Sequence, residues 1–140
     1  MAERPRGITD RSALLLVKLG NEIAQQADDP LAAMGLSGRQ YMVLAVLSSD
    51  TPPSQLELAG LCGLLPAQVV PVVDELERRG FVERQRSEAD RRRSVVTLTD
   101  AGREILAQAD ELGRALLDVI EPAAREVLVE TLSRSHTTAR

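Results

Sequence analysis

Three consecutive guanidinium groups, Arg91, Arg92 and Arg93, follow an acidic residue at Asp90 in this 140-residue chain. That residue type, clustered on a polar loop, can neutralise phosphates or enter a minor groove, whose negative potential attracts arginine. Between Arg78 and Arg93 there are seven arginines against Glu83, Glu88 and Asp90, a local balance of +4 on a chain whose net charge is −4. A positive patch on an otherwise acidic chain implies either a polyanionic partner or a solvated loop. A second group of candidates lies upstream. Ala67, Gln68 and Pro71 occupy the outward side of a short apolar-periodic segment, and Gln68 has the groups to bond adenine through N6 and N7. Ser54, Gln55, Arg84 and Arg86 are candidates for phosphate contacts that fix register. Arg84 is equally a candidate ion-pair partner for Glu83 or Glu77, whereas Arg78 and Arg79 read as solvated charges at a helix end.

The elements that must carry these residues are legible from their punctuation. Ser37 with Gln40, and Ser54 with Glu57, have the spacing of capping boxes that open two helices. Tyr41, Val43, Leu44 and Leu47 follow the first at core spacing. Asp50-Thr51-Pro52-Pro53 is a turn, and the second helix is short, reaching Leu61-Cys62. Gly63-Leu64-Leu65 then connects to a helix with Pro66 as its first residue. In it, Val69, Val72, Val73 and Leu76 recur at i, i+3, i+4 and i+7 and face a core, with Asp74, Glu75 and Arg78 on the opposite side. Pro71 lies inside this helix, where a proline costs about 3 kcal/mol unless a kink or a short first turn relieves it. Phe81–Arg86 and Ser94–Leu98 are β-prone runs around a polar tip, the pattern of a hairpin with a long loop. Thr99 caps the helix that follows.

Two short helices, a glycine-containing turn and a hairpin make a winged helix-turn-helix. The run Leu76-Glu77-Arg78-Arg79-Gly80-Phe81-Val82-Glu83-Arg84, then Asp90-Arg91-Arg92, then Val96-Thr97-Leu98-Thr99-Asp100-Ala101-Gly102 resembles the wing of MarR-type transcriptional regulators. The resemblance extends from about Ile8 to Leu132 and is most specific across the wing. It implies that Arg92 is the groove-inserting residue and that Asp90 braces it by an ion pair. It also implies a small-molecule effector bound between the winged unit and the dimerisation helices, in a crevice lined by the helix of Arg39 and Tyr41; by residue type alone Tyr41 reads as a core residue with its hydroxyl at the edge and Arg39 as a surface charge. The chain departs from the family at the start of its recognition helix. Relatives usually offer Ser or Thr followed by Arg, and this chain offers Ala67, Gln68, Val69, Val70 and Pro71, so its major-groove reading is sparse or apolar, as through thymine methyls.

Outside the winged unit, a first helix capped by Thr9 and carrying Leu14, Leu15, Leu16, Val17, Leu19 and Ile23 is apolar most of the way round, ending at Asp28-Asp29-Pro30. A long helix after Thr99 runs to about Glu121 with a stripe of Ile105, Ala109, Leu112, Leu116 and Ile120. A last helix holds Ala124, Val127, Leu128 and Leu132. Such faces are covered most economically by a second subunit, the rival being packing on the first helix within one subunit, so Leu15, Leu112, Leu116, Ile120, Val127, Leu128 and Leu132 are expected in a homodimer interface. The domains read as 1–35 (first dimerisation helix), 36–100 (winged helix-turn-helix) and 101–140 (C-terminal dimerisation helices), in a mainly α fold with a small β-hairpin wing.

Cys62 is alone and cannot form an internal disulfide, which fits a reducing cytoplasm. It reads as a small buried apolar residue. With His136 the only histidine, no zinc site and no nucleophile–base pair can be assembled, so neither a metal, a cofactor nor an enzymatic activity is expected. The function expected is that of a DNA-binding regulator, a repressor, acting as a homodimer on a pseudo-palindromic operator and released by a ligand. The alternative is a winged-helix protein-interaction module or antirepressor without specific DNA recognition, for which Pro71 and the donor-poor helix are the motive.

Overall fold

A computed structural model describes residues 11–117 and 122–138. Six helices flank one hairpin: α1 (Ser12–Ala33), α2 (Gly38–Leu47), α3 (Gln55–Cys62), α4 (Pro66–Arg78), β1 (Val82–Arg86), β2 (Ser94–Leu98), α5 (Asp100–Leu117) and α6 (Pro122–Thr138). The expected caps form. Ser37 Oγ accepts from Gln40 N at 3.1 Å while Gln40 Oε1 accepts from Ser37 N at 2.9 Å. Ser54 and Glu57 repeat this reciprocal pairing at 3.2 and 3.0 Å. Each box satisfies two amide donors that a helix start otherwise leaves without partners. The cap expected at Thr9 and the end expected near Glu121 lie outside the described residues.

The first helix does not stop at Pro30. It runs on to Ala33, because the single bond that proline removes is outweighed by buried Leu31 and the closing turn at Gly35. The last turn is closed instead by Gly35 in the left-handed region (φ 73°), with Leu36 N donating to Leu31 O and Gly35 N to Ala32 O, both at 2.9 Å. The same ending closes α4. Gly80 has φ 80°, Phe81 N donates to Leu76 O and Gly80 N donates to Glu77 O, each at 2.9 Å.

One core joins these elements. Val43, Leu44 and Leu47 of α2, Leu58 and Ala59 of α3, and Val69, Val73 and Leu76 of α4 are buried together with Val82, Val96, Leu98, Leu106 and Ala109. Fully burying a Leu such as Leu44, Leu58 or Leu76 is worth about 1.5–3 kcal/mol. Leu106, outside the expected α5 stripe, is buried, while Ile105 is only partly covered. α1 differs more from expectation. Leu14, Leu15, Leu16, Val17 and Leu19 are all exposed in the single chain, Val17 by 60%. Only the end of α1 enters the core, through Leu31.

The hairpin pairs Val82 with Leu98, Arg84 with Val96 and Arg86 with Ser94, antiparallel. Paired residues share a face, and alternate residues along each strand share it too. Val82, Val96 and Leu98 therefore point into the core, and Arg84 points the same way. The hairpin leans on the turn before α3 through Val96 N, which donates to Pro53 O at 3.0 Å.

Its base is fastened to both neighbouring helices. Thr99 Oγ1 donates to Gly80 O at 2.6 Å and accepts from Gly102 N at 3.1 Å, capping α5, while Thr99 N donates to Phe81 O at 3.1 Å. Gly102 lies so close that a Cβ there would stand 2.0 Å from Phe81 O. Gly102→Ala should therefore lower the unfolding free energy by roughly 1–3 kcal/mol, the usual cost of overpacking. A urea denaturation midpoint unchanged from wild type would contradict this reading of the junction.

Candidate nucleic-acid interface

The tip of the wing is built by backbone hydrogen bonds and by the side chains of Arg86, Ser87 and Asp90. Ser87 N donates to Arg93 O at 2.8 Å and Arg93 N donates to Asp90 O at 3.0 Å. Asp90 was expected to brace Arg92 by an ion pair, but its carboxylate accepts from the Arg92 backbone N–H at 3.0 Å. Asp90 thus fixes the turn, a local bond that short acidic side chains make readily, and leaves the Arg92 guanidinium unengaged. Arg86 is spent on the same turn, donating to Arg91 O at 2.9 Å. Arg93 forms an ion pair with Glu57, so it ties the wing to the start of α3 and is not a free phosphate ligand. The hydrogen bond from Ser54 N–H, together with Arg93, holds the Glu57 carboxyl below its ordinary range. Arg91 and Arg92 remain exposed, and neither forms an ion pair among the described residues.

Arg84 is likewise engaged within the fold. From the core-side face of β1 it reaches α4 and pairs with both Asp74 and Glu77. Its Nη2 also donates to Gln55 Oε1 at 3.0 Å. Partial burial opposes its charge, yet the two carboxylates outweigh burial and push its pKa up. Of the two readings of Arg84, the ion-pair one holds, with Asp74 as an unforeseen partner and Glu83 not involved. Arg79 also departs from expectation. It is half-buried, donates to Gly35 O at 2.6 Å and stacks over the Phe81 ring at 4.9 Å. Arg78 pairs with Glu75 on the surface, in keeping with a solvated helix-end charge.

On α4, Val69, Val73 and Leu76 are buried as the spacing predicts, and Ala67, Pro71, Asp74 and Arg78 are exposed. The helix runs unbroken through Pro71, which faces outward. Gln68 folds back over the helix start, where its Oε1 accepts from Leu65 N at 2.9 Å. Ser54 is partly covered and its hydroxyl serves the α3 cap. Gln55 keeps its amide NH2 while its carbonyl serves Arg84.

This arrangement of helix-turn-helix, wing and terminal helices matches known proteins. The model of the MarR family matches residues 36–94. The HTH-type transcriptional repressor Rv2887 of Mycobacterium tuberculosis (strain ATCC 25618 / H37Rv) is 30% identical over 111 residues, covering 78% of this chain and 80% of that protein. The chain belongs to the MarR family. The transcriptional repressor MprA of Escherichia coli (strain K12) is 31% identical over 98 residues, 67% of this chain, and the aligned part spans about half of MprA, 54% of its length. Among solved MarR-like structures, CouR of Rhodococcus jostii RHA1 bound to p-coumaroyl-CoA superposes with a TM-score of 0.79 at 27% identity, covering 94% of this chain and 93% of CouR. CouR bound to a 23-mer DNA duplex gives 0.74 at 29% identity, covering 99% and 100%.

The two residues expected to line a MarR-type effector crevice are not brought together. Arg39 and Tyr41 are two residues apart on α2 and so point to opposite sides. Arg39 is exposed, whereas Tyr41 is half-buried against α5 and donates to Asp110 at 2.7 Å. A cleft of about 1140 Å3 opens elsewhere, between the wing and the turn before α3, with Pro52, Pro53, Leu61, Val95, Glu57 and Arg93 among its walls. Cys62 packs partly buried against the core, and that burial pushes its thiol pKa up, away from the reactive thiolate. Of the residues expected at a dimer interface, Leu15, Val127, Leu128 and Leu132 are exposed in the single chain and Leu112 is half-covered. Ile120, and the side chains of Leu116 and His136, lie outside the described residues.

Two measurements follow from these contacts. Arg84→Ala leaves Asp74 and Glu77 without their counterion; it should destabilise the chain by roughly 1 kcal/mol, the upper end for partly exposed pairs. Unfolding curves that overlay those of the wild type would sink that assignment. Tyr41 is the only tyrosine, so its titration is directly visible at 295 nm. Burial first, and then the bond and charge of Asp110, raise its pKa from 10.0 to about 12. The proton is held more tightly in the folded chain, so this contribution to stability is complete below the unfolded pKa. It is lost as pH rises through about 12. A folded-state midpoint near 10 would show that the Tyr41–Asp110 bond does not form.

Proposed function

We propose that this protein is a transcriptional repressor that binds duplex DNA as a homodimer and is released by a small-molecule effector. The observation that carries this reading is the sorting of arginines around the wing. Arg84, Arg86 and Arg93 are committed to internal partners that stiffen the hairpin, and Arg91 and Arg92 are left uncommitted at its tip. A rigid hairpin presenting two unneutralised guanidinium groups fits a minor groove flanked by phosphates. CouR, similar to this chain over its whole length, has been seen on a DNA duplex and with p-coumaroyl-CoA, which supports both halves of the proposal.

Dimerisation is supported by α1 and α6. Every described side chain of α6 from 122 to 134 is exposed, including Val127, Leu128, Val129 and Leu132, and α1 exposes Leu14, Leu15, Leu16 and Val17. Apolar surface of that extent on terminal helices costs free energy in water unless a second copy covers it. In this reading residues 1–35 and 101–140 pair the subunits and residues 36–100 meet DNA. Two-fold symmetry then sets the half-sites of a pseudo-palindrome about 34–36 Å apart. The protein has no catalytic role and works in the cytoplasm, where its DNA is. No single helix among the described residues is long and apolar enough to cross a membrane.

Arg92→Ala should weaken binding to every duplex and lower the slope of log affinity against log salt by about 1, as loss of one phosphate or groove contact does. The check is a titration against the DNA upstream of its own coding region and against random DNA, at several salt concentrations. Equal and feeble binding of the wild type to both would favour a protein-interaction module instead. Sedimentation should give twice the chain mass, and Leu15→Glu with Leu128→Glu should give the monomer.

A further inference from the structure

The DNA-facing half of α4 is chemically one-sided. Ala67, Gln68 and Pro71 project from its first two turns within an arc of about 100° opposite the core-facing valines. Ala67 and Pro71 offer only apolar surface. Gln68 is the sole polar side chain among the three, and half of its amide is already used, since Oε1 accepts from Leu65 N at 2.9 Å. That bond caps an amide at the helix start, so giving it up would return the N–H to water and lose the cap. What Gln68 presents outward is its Nε2, a donor only.

An adenine in the major groove pairs with a Gln that both donates to N7 and accepts from N6; a cytosine needs an acceptor for N4. A donor-only Gln68 meets neither need. Guanine offers acceptors but no apolar surface. Thymine alone places an acceptor, O4, beside a methyl group. We propose that Gln68, with Ala67 and Pro71, selects a thymine in each half-site, Gln68 Nε2 donating to O4 while Ala67 and Pro71 cover the C5-methyl. The inference rests on the reading of this protein as a DNA-binding regulator and names the base its recognition helix prefers. It also replaces the adenine reading of Gln68, which required a carbonyl that the fold has engaged.

The test uses the full-length protein and the tightest duplex selected from random-sequence DNA. Thymine-to-deoxyuridine replacement at the preferred position of both half-sites removes only the methyl group, and should weaken binding about three- to tenfold. Replacing the paired adenine with 7-deazaadenine removes N7 and should leave affinity unchanged. Gln68→Glu keeps an acceptor for Leu65 N and deletes the donor, so with an unchanged melting temperature it should cut the thymine preference back to the part the methyl contact carries. Sensitivity to 7-deazaadenine with indifference to deoxyuridine would overturn the proposal in favour of adenine reading. Indifference to both, or a thymine preference that Gln68→Glu leaves undiminished, would overturn it as well. Failure of the wild type to bind any duplex is a separate outcome, seen in the first titration, and would remove the regulator reading along with this one.

Discussion

The structure depends on a close approach of backbone to backbone at Gly102. With no side chain there, the first turn of α5 lies against the Phe81 carbonyl, which a Cβ would meet at 2.0 Å. Thr99 completes the joint by bonding Gly80 O and capping α5 with one hydroxyl. Three elements meet at this point: the end of α4, the base of the wing, and the start of α5. A displacement of α5 must therefore reach α4 and the wing through contacts that have little slack, because packed interfaces shift between discrete arrangements more readily than they deform. If the chain acts as proposed, that is the mechanical route by which an effector or a partner subunit would alter DNA binding from outside the winged unit.

Electrostatics around the wing separates scaffolding from contact. Seven arginines crowd the sequence from Arg78 to Arg93, and counted as charges they form one patch. In three dimensions five are occupied. Arg78 pairs with Glu75, Arg79 binds Gly35 O, Arg84 holds Asp74 and Glu77, Arg86 holds Arg91 O and Arg93 holds Glu57. Two consequences follow. The hairpin is pinned on both sides, so Arg91 and Arg92 at its tip stand on a support that other side chains hold in place. The acidic residues of α4 are also partly neutralised from within, which reduces their repulsion of a phosphate backbone brought against that helix.

Much of the fold was legible because its signals are local. A capping box spans three residues, and Ser37 with Gln40 or Ser54 with Glu57 can be read without knowing anything about the rest of the chain. Glycines at 63 and 80 end helices through their own backbone conformation. Pro30 misled for the same local reason: it favours a helix end nearby, but the turn closed by Gly35 and anchored by buried Leu31 outweighed it. The place of the candidate site was legible in outline: Arg91 and Arg92 stand on the hairpin tip, where the resemblance put them. The roles of Arg84, Arg93 and Asp90 were not. Arg84 meets Gln55 across 29 residues and Tyr41 meets Asp110 across 69. No spacing rule reaches that far.

The sequence by itself determined the helices, the hairpin, the turn chemistry and the location of positive charge, because those follow from the conformational preferences of a few neighbouring residues. Tertiary structure alone decided which charges are free, which way Arg84 points, and that the carbonyl of Gln68 is already taken. The physical reason is that a hydrogen bond or ion pair is settled by whichever partner the folded chain brings within about 3 Å, and long polar side chains have many competing partners until folding selects one.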